Sequence, residues 1–263
     1  MIARAAGRVV TATECPHPST FGPVSSLAAA RPARARLGRW PYDDRVAHLV
    51  LLDHHMQPSG TDVVGWIDEA AATGARVVRT GALFPNAVPA FLDAGFHVID
   101  TLTLLARSLD DAAPSSTDRP FRNAPIRLRR LRPSMLHDAA EIDRRSFSTP
   151  WANDSAALAD ILRATPYHRS RCVSIDGRMV AFSISGRADR SGYVQRLAVD
   201  PSARRRGIAR HLLADALRWM KRRDITRALV NTGTDNRSAL GLYEQFGFER
   251  QSGSLVILER ALR

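Results

Sequence analysis

Lysine is all but missing from this 263-residue chain: of 38 basic side chains, Lys221 alone is not arginine. So lopsided a ratio points to GC-rich coding as much as to a selected basic surface. Cysteine is nearly as scarce. Cys15 and Cys172 are too few for a disulfide framework or a cysteine-based zinc site. No apolar run approaches the roughly 18 residues of a membrane-spanning helix. The first 39 residues also lack the short apolar stretch of a secretory signal. No Walker loop, no helix-turn-helix pattern and no ordered Ser/His/Asp set stands out. The expectation is a soluble protein of the cytoplasm, without a membrane partner.

The apolar share of 44% supplies a core, and the length suits two domains. Charge is uneven within the net +12: residues 1–39 carry +5, residues 40–115 carry −6 and residues 116–263 carry +13. The basic half could meet nucleic acid, a membrane surface or a polyanionic small molecule. Residues 1–39 read as a disordered basic extension. Their acid-poor, arginine-rich composition also superficially matches an organellar transit peptide. Residues 110–125, with three prolines and a Ser-Ser-Thr cluster, read as a linker. Beyond it, strands are expected over 126–132, 172–185 (a hairpin turning at Asp176-Gly177), 193–199, 227–232 and 254–262. Helices are expected over 134–147 (capped by Ser134), near 154–164, and over 207–223 and 236–246.

A shift of 152 residues lays Val78 to Phe96 over Val230 to Phe248 with six identities in nineteen positions and no gap. Thr80-Gly81 falls on Thr232-Gly233, Ala87 on Ala239 and Gly95-Phe96 on Gly247-Phe248. The order strand–helix–strand–helix–strand stays in step, so residues 40–109 read as a half-copy of residues 126–263.

The stretch LAVDPSARRRGIARHLL (197–213) carries the chemistry. A strand runs into an arginine-rich loop, and Gly207 opens a helix. The first N–H groups of a helix lack intrahelical partners and carry partial positive charge, so this is an anion site. Gly207 and Ala209 leave room for a phosphate, with Arg204, Arg205, Arg206 and Arg210 around it. By itself the same stretch also reads as a solvated basic turn.

Arg204-x-x-Gly207-x-Ala209 resembles the central signature of the GCN5-related N-acetyltransferase (GNAT) superfamily. Asn236, Ala239, Leu242-Tyr243-Glu244 and Gly247-Phe248 resemble its second signature, at the family's usual separation. The stretch around Phe147–Trp151 and Asp154 is similar to the ribosomal-protein alanine N-acetyltransferase branch. The tandem layout is similar to that of mycothiol synthase. The resemblance implies an α/β (α+β) fold, a mixed sheet flanked by helices with one parallel strand pair splayed at the cofactor, and a degenerate half-domain in front. It implies acetyl-CoA as cosubstrate, transfer to an amine in a ternary complex, and no metal. Leu197, Ala198 and Val199 would hold the pantetheine arm and polarise the thioester. Arg205 to Arg210, with Gly207, Ile208 and Ala209, would offer backbone amides to the pyrophosphate. Asn236 would bind the pantetheine or adenylate end, and Tyr243 would sit by the sulfur as proton donor. Tyr243 also reads as a core aromatic beside Leu240 and Phe246.

Two departures follow. Asn231 stands on the cofactor-side strand where the ribosomal branch often has a glutamate base, and only about five residues separate Phe248 from the last strand. Gln195, His168 and Glu244 are the titratable or polar neighbours, none compelling as a base. In the half-copy, Phe91, Phe84 and Arg79 replace Tyr243, Asn236 and Asn231, which predicts no cofactor site there. His54-His55 beside Asp53 lack ligand spacing, so no metal is expected. The rival reading is a non-catalytic acyl-CoA-binding or nucleic-acid-binding module.

Overall fold

The computed structural model describes residues 33–52, 57–110 and 126–262. The expected basic extension before residue 33, the linker at 111–125, and Asp53, His54 and His55 lie outside them. A single sheet of eleven strands runs through both sequence halves. The first half supplies β1 (Ala35–Trp40), β2 (Asp43–Leu51), β3 (Val77–Thr80) and β4 (His97–Ser108), with α1 (Gly60–Ala72) and α2 (Val88–Asp93). The second supplies β5 (Arg129–Arg130), β6 (Tyr167–Ile175), β7 (Arg178–Ala188), β8 (Ser191–Val199), β9 (Arg227–Gly233), β10 (Glu249–Arg250) and β11 (Leu255–Ala261). Its helices are α3 (Leu136–Ser146), α4 (Ser155–Arg163), α5 (Ile208–Lys221) and α6 (Arg237–Gln245).

Three expectations change. Residues 35–39 are strand rather than extension: Leu37 and Ala35 pack beside the first-half core, and β1 pairs with β2 from Ala35↔Leu51 to Arg39↔Ala47. The strand expected at 126–132 shrinks to two pairs, Arg129↔Cys172 and Arg130↔Arg171. Pro133, with its fixed φ and missing donor, turns the chain into a 3₁₀ segment there. Helix α3 therefore starts after Met135, and Ser134 caps nothing.

The strand order is β1-β2-β3-β11-β4-β9-β8-β7-β6-β5. The two last strands are thus exchanged between the halves. β4 pairs antiparallel with β9 of the second half, and β11 pairs antiparallel with β3 of the first. β4 and β11 also pair with each other, from Leu255↔Leu102 to Glu259↔His97. Neither half closes a sheet of its own. Phe91 meets Phe96 edge-on at 5.2 Å, and Tyr243, 152 residues on, meets Phe248 at 5.8 Å.

Residues directly opposite one another share a face. Leu105 lies opposite Val230 under α5 and α6, and Val256 lies opposite Thr101 under α1 and α2. Leu105 and Thr101 have the same parity along β4, so these four helices cover one face. Helices α3 and α4 cover the other, over Phe182, Ile184 and Ala198.

His48, in the middle of β2, lies opposite Arg79, edge-on to Trp40 at 4.9 Å. Burial pushes its imidazole down to about 4, helped by the charges of Arg36 and Arg79 and opposed by Asp160. The folded state keeps His48 neutral, whereas the unfolded chain takes up a proton below about 6.5. Its contribution is therefore complete above pH 6.5 and is lost as pH falls toward 4. The expected loss is up to about 3 kcal/mol. Urea unfolding of wild type and His48→Gln at pH 7 and pH 4.5 checks it: the variant should show the smaller change.

Candidate active site

The candidate site lies where β8 and β9 part. These parallel strands pair at Ser191↔Arg227, Gly192↔Ala228 and Tyr193↔Leu229, and no further. Beyond that point Leu197, Ala198 and Val199 stay paired with β7 but have no strand partner on the β9 side, and the Val199 carbonyl accepts from side chains instead. Gln195 is the extra residue of a bulge that lies between the pairs Ile184↔Arg196 and Ser185↔Val194. A bulge re-aims the strand beyond it. In the first half the equivalent parallel pair stays closed: β2 and β3 pair through Leu49↔Thr80, and the Gly81 N–H continues to the Leu49 carbonyl at 2.8 Å.

Past Val199, Asp200 orders the turn by accepting from the Ser202 N–H at 3.0 Å and from Arg145 Nε at 2.8 Å. Arg205 and Gly207 both adopt left-handed φ, 64° and 78°. Glycine takes that conformation at no steric cost. The N–H groups of Arg205, Arg206 and Gly207 make no hydrogen bond among the described residues. Ile208 is anchored in the core beside Leu212, so the start of α5 is fixed, while Ala209 is half-buried. Arg205 and Arg206 are exposed without an ion pair among the described residues. Arg204 instead folds back to the Val199 carbonyl at 3.3 Å, and Arg210 lies over Phe246 at 5.6 Å.

Asn236 and Asn231 behave differently from one another. Asn231 is exposed on β9, opposite Leu104 of β4. Asn236 caps α6: its side-chain oxygen accepts from the Ala239 N–H at 3.2 Å, and its amide donates to Thr232 Oγ1 at 3.0 Å. Tyr243 is 6% exposed and belongs to the same cluster as Val194 and Val230, the first unpaired residues of the two diverging strands. Burial pushes its hydroxyl up to about 12, with Arg196 acting weakly the other way. The hydroxyl therefore stays protonated throughout the physiological range. Glu244 is engaged by Arg250 at 2.9 Å, and the Gln195 amide oxygen is buried without a partner among the described residues.

Arg196 and Asp143 form a buried pair beside the candidate site that motif reading misses. Arg196, on β8 at the bulge, pairs in bidentate fashion with the fully buried Asp143 of α3 at 2.6 and 2.7 Å. It also donates to the Trp151 carbonyl at 2.8 Å and lies 3.5 Å above the Phe147 ring. The available signal was a single acid inside the buried stripe Ala139, Ala140, Ile142, and an arginine as the one charged residue of its strand. Among the described residues no group of acids, histidines and cysteines could hold a metal. No helix among them is long and apolar enough to cross a membrane.

Residues 136–248 match the family described as the Acetyltransferase (GNAT) family. The Escherichia coli K12 [ribosomal protein bS18]-alanine N-acetyltransferase is 26% identical over 113 residues, 43% of this chain and 74% of its own length. The Xenopus laevis N-alpha-acetyltransferase 30 is 44% identical over 61 residues, but that stretch spans only 23% of this chain and 22% of the relative. Among solved structures, a GCN5-related N-acetyltransferase from Sphaerobacter thermophilus aligns with TM-score 0.58 at 18% identity, over 88% of this chain and 77% of that one. A tandem GNAT protein from the clavulanic acid biosynthesis pathway aligns with TM-score 0.62 at 14% identity, over 88% and 79%. The described chain thus has the fold of GNAT acetyltransferases, and residues 136–248 are similar in sequence to that family.

Proposed function

We propose that this chain moves the acetyl group of acetyl-CoA to a primary amine by direct attack in a ternary complex, in the cytoplasm. The observation that carries the reading is that β8 parts from β9 and then runs into a helix start preceded by three backbone N–H groups without a bond among the described residues. The open edge of Leu197 to Val199 lies along the pantetheine arm and points an N–H at the thioester carbonyl, where charge builds in the transition state. The Arg205–Gly207 amides, with the first turn of α5 through Arg210, take the pyrophosphate. Arg205 and Arg206 add long-range attraction. The amine nitrogen forms a bond to the acetyl carbon as the carbon–sulfur bond breaks. Tyr243 gives its proton to the departing thiolate and recovers one from solvent, and the amine sheds its own proton to water. Asn231 lines the opening, and Asn236 caps α6. The first half, with β2 and β3 closed and Phe91 in place of the tyrosine, binds no cofactor in this reading.

Titration calorimetry with coenzyme A tests the reading. Wild type should bind one molecule per chain, and acetyl-CoA at 100-fold over Kd should add about 2.7 kcal/mol of stability. Gly207→Asp, which places a carboxylate at the phosphate position in a left-handed conformation, should abolish both effects. Two molecules per chain, or an unaltered variant, would defeat the assignment.

A further inference from the structure

The segment joining α3 to α4 is gripped from two directions. On the side of the site, Arg196 holds the Trp151 carbonyl, and Asp143 accepts from the Asn153 N–H at 2.6 Å. Ser146, just before it, donates to the Val199 carbonyl at 3.1 Å. On the other side stands the β1–β2 hairpin of the first half. Trp40 Nε1 donates to the Pro150 carbonyl at 3.2 Å, and the Tyr42 hydroxyl donates to the Asn153 carbonyl at 3.2 Å. Arg39 pairs with Asp154, and Arg36 lies 3.5 Å from Asp160. Arg79 stacks over Trp40 at 4.4 Å and reaches the Trp151 ring at 5.9 Å, while its guanidinium pairs with Glu259.

We propose that the β1–β2 hairpin is a positioning element for the amine side of the site: it holds residues 147–154 against Arg196 and so sets the entrance through which the acceptor arrives. The proposal rests on the acetyltransferase reading. The segment makes little secondary structure of its own; its internal backbone bond is Trp151 N–H to the Ser148 carbonyl at 2.7 Å. Its carbonyls at Pro150, Trp151 and Asn153 are each taken by a side chain from outside. A loop fixed through its backbone keeps its side chains available for a partner molecule. The hairpin's arginines meet acids on and beside the segment, which gives the basic stretch at 34–39 a local use. No hairpin residue touches the β8–β9 opening in these contacts, so its action passes through the loop.

The test uses the full chain. Arg39 and Tyr42 are both exposed, so the double variant Arg39→Gln/Tyr42→Phe should fold. Hydrogen exchange of the amides of 147–153 should speed up by about tenfold, the scale of losing two such contacts, while α5 and the Gly207 loop stay protected. Affinity for coenzyme A should stay within about twofold of wild type. With an amine found by screening turnover, KM for the amine should rise by about fivefold or more with KM for acetyl-CoA unmoved. Arg39→Lys with Tyr42 intact should restore most of the protection. Unchanged exchange at 147–153, or loosening spread evenly over the sheet, overturns the proposal. Exchange and coenzyme A binding need no turnover. A wild type that transfers acetyl to no amine therefore counts against the enzymatic reading alone, and the exchange result still decides the hairpin's role.

Discussion

Tyr243→Phe should lower kcat on the order of 10²–10⁴-fold, the usual range for general acid catalysis, while leaving the fold and coenzyme A affinity intact. The ring stays, so its packing against Phe248 and the surrounding cluster is preserved. The hydroxyl makes no hydrogen bond among the described residues, so its removal strands no partner. A donor that acts only in the transition state should lower kcat and kcat/KM together. Burial holds the hydroxyl near 12, so wild type should show no loss of rate from its ionisation below about pH 11. Steady-state kinetics across pH on both proteins is the check. Asn231→Ala is the control: it removes no titrating group, so it changes the rate without reshaping the profile. A Tyr243→Phe protein with full kcat would reassign the residue to packing and the proton to water.

Asp143→Ala should cost about 3–5 kcal/mol, because it leaves the Arg196 guanidinium without its carboxylate in a largely enclosed position. For a chain of this size that corresponds to a fall in Tm of roughly 10 °C. It also frees the Asn153 N–H and the loop around Trp151. Replacing both partners, as Asp143→Leu with Arg196→Met, removes the stranded charge and should recover much of the stability. It cannot restore the bond to the Trp151 carbonyl, so acetyl transfer should stay impaired. Differential scanning calorimetry and turnover on the single and double variants separate the two effects. Equal stability of the single and double variants would mean that the pair is not what holds this region.

Much of the site was legible because its features are local. The left-handed Gly207, the arginine-rich turn and the tyrosine seven residues beyond a helix-capping asparagine all lie within short windows. Roles were less legible than positions. Asn236 reads as a cofactor ligand, and its side-chain oxygen caps α6, since the same polar side chain suits a cap and a ligand equally well. Arg196 and Asp143 are 53 residues apart, and no local pattern says that a lone arginine on one element needs a lone acid on another. The closed β2–β3 pair could be guessed only from missing residues. The exchange of β4 and β11 could not be read at all. Two strands that follow the same Gly-Phe step can trade places without altering any local propensity or alternation.

That exchange bears on how the chain is made. Arg79 and Glu259, ion-paired on neighbouring strands, are 180 residues apart. During synthesis β1 to β4 emerge early, but the seat between β3 and β4 stays empty until residues 255–261 leave the ribosome. Until then two strand edges face open water, the situation in which nascent β structure meets the wrong partner. Such non-local pairing slows folding, since the long loop must close before any contact rewards it. Production in a host therefore favours slow expression and low temperature. Separately expressed halves should recover the native sheet only when both are present, each bringing the strand that the other is built around.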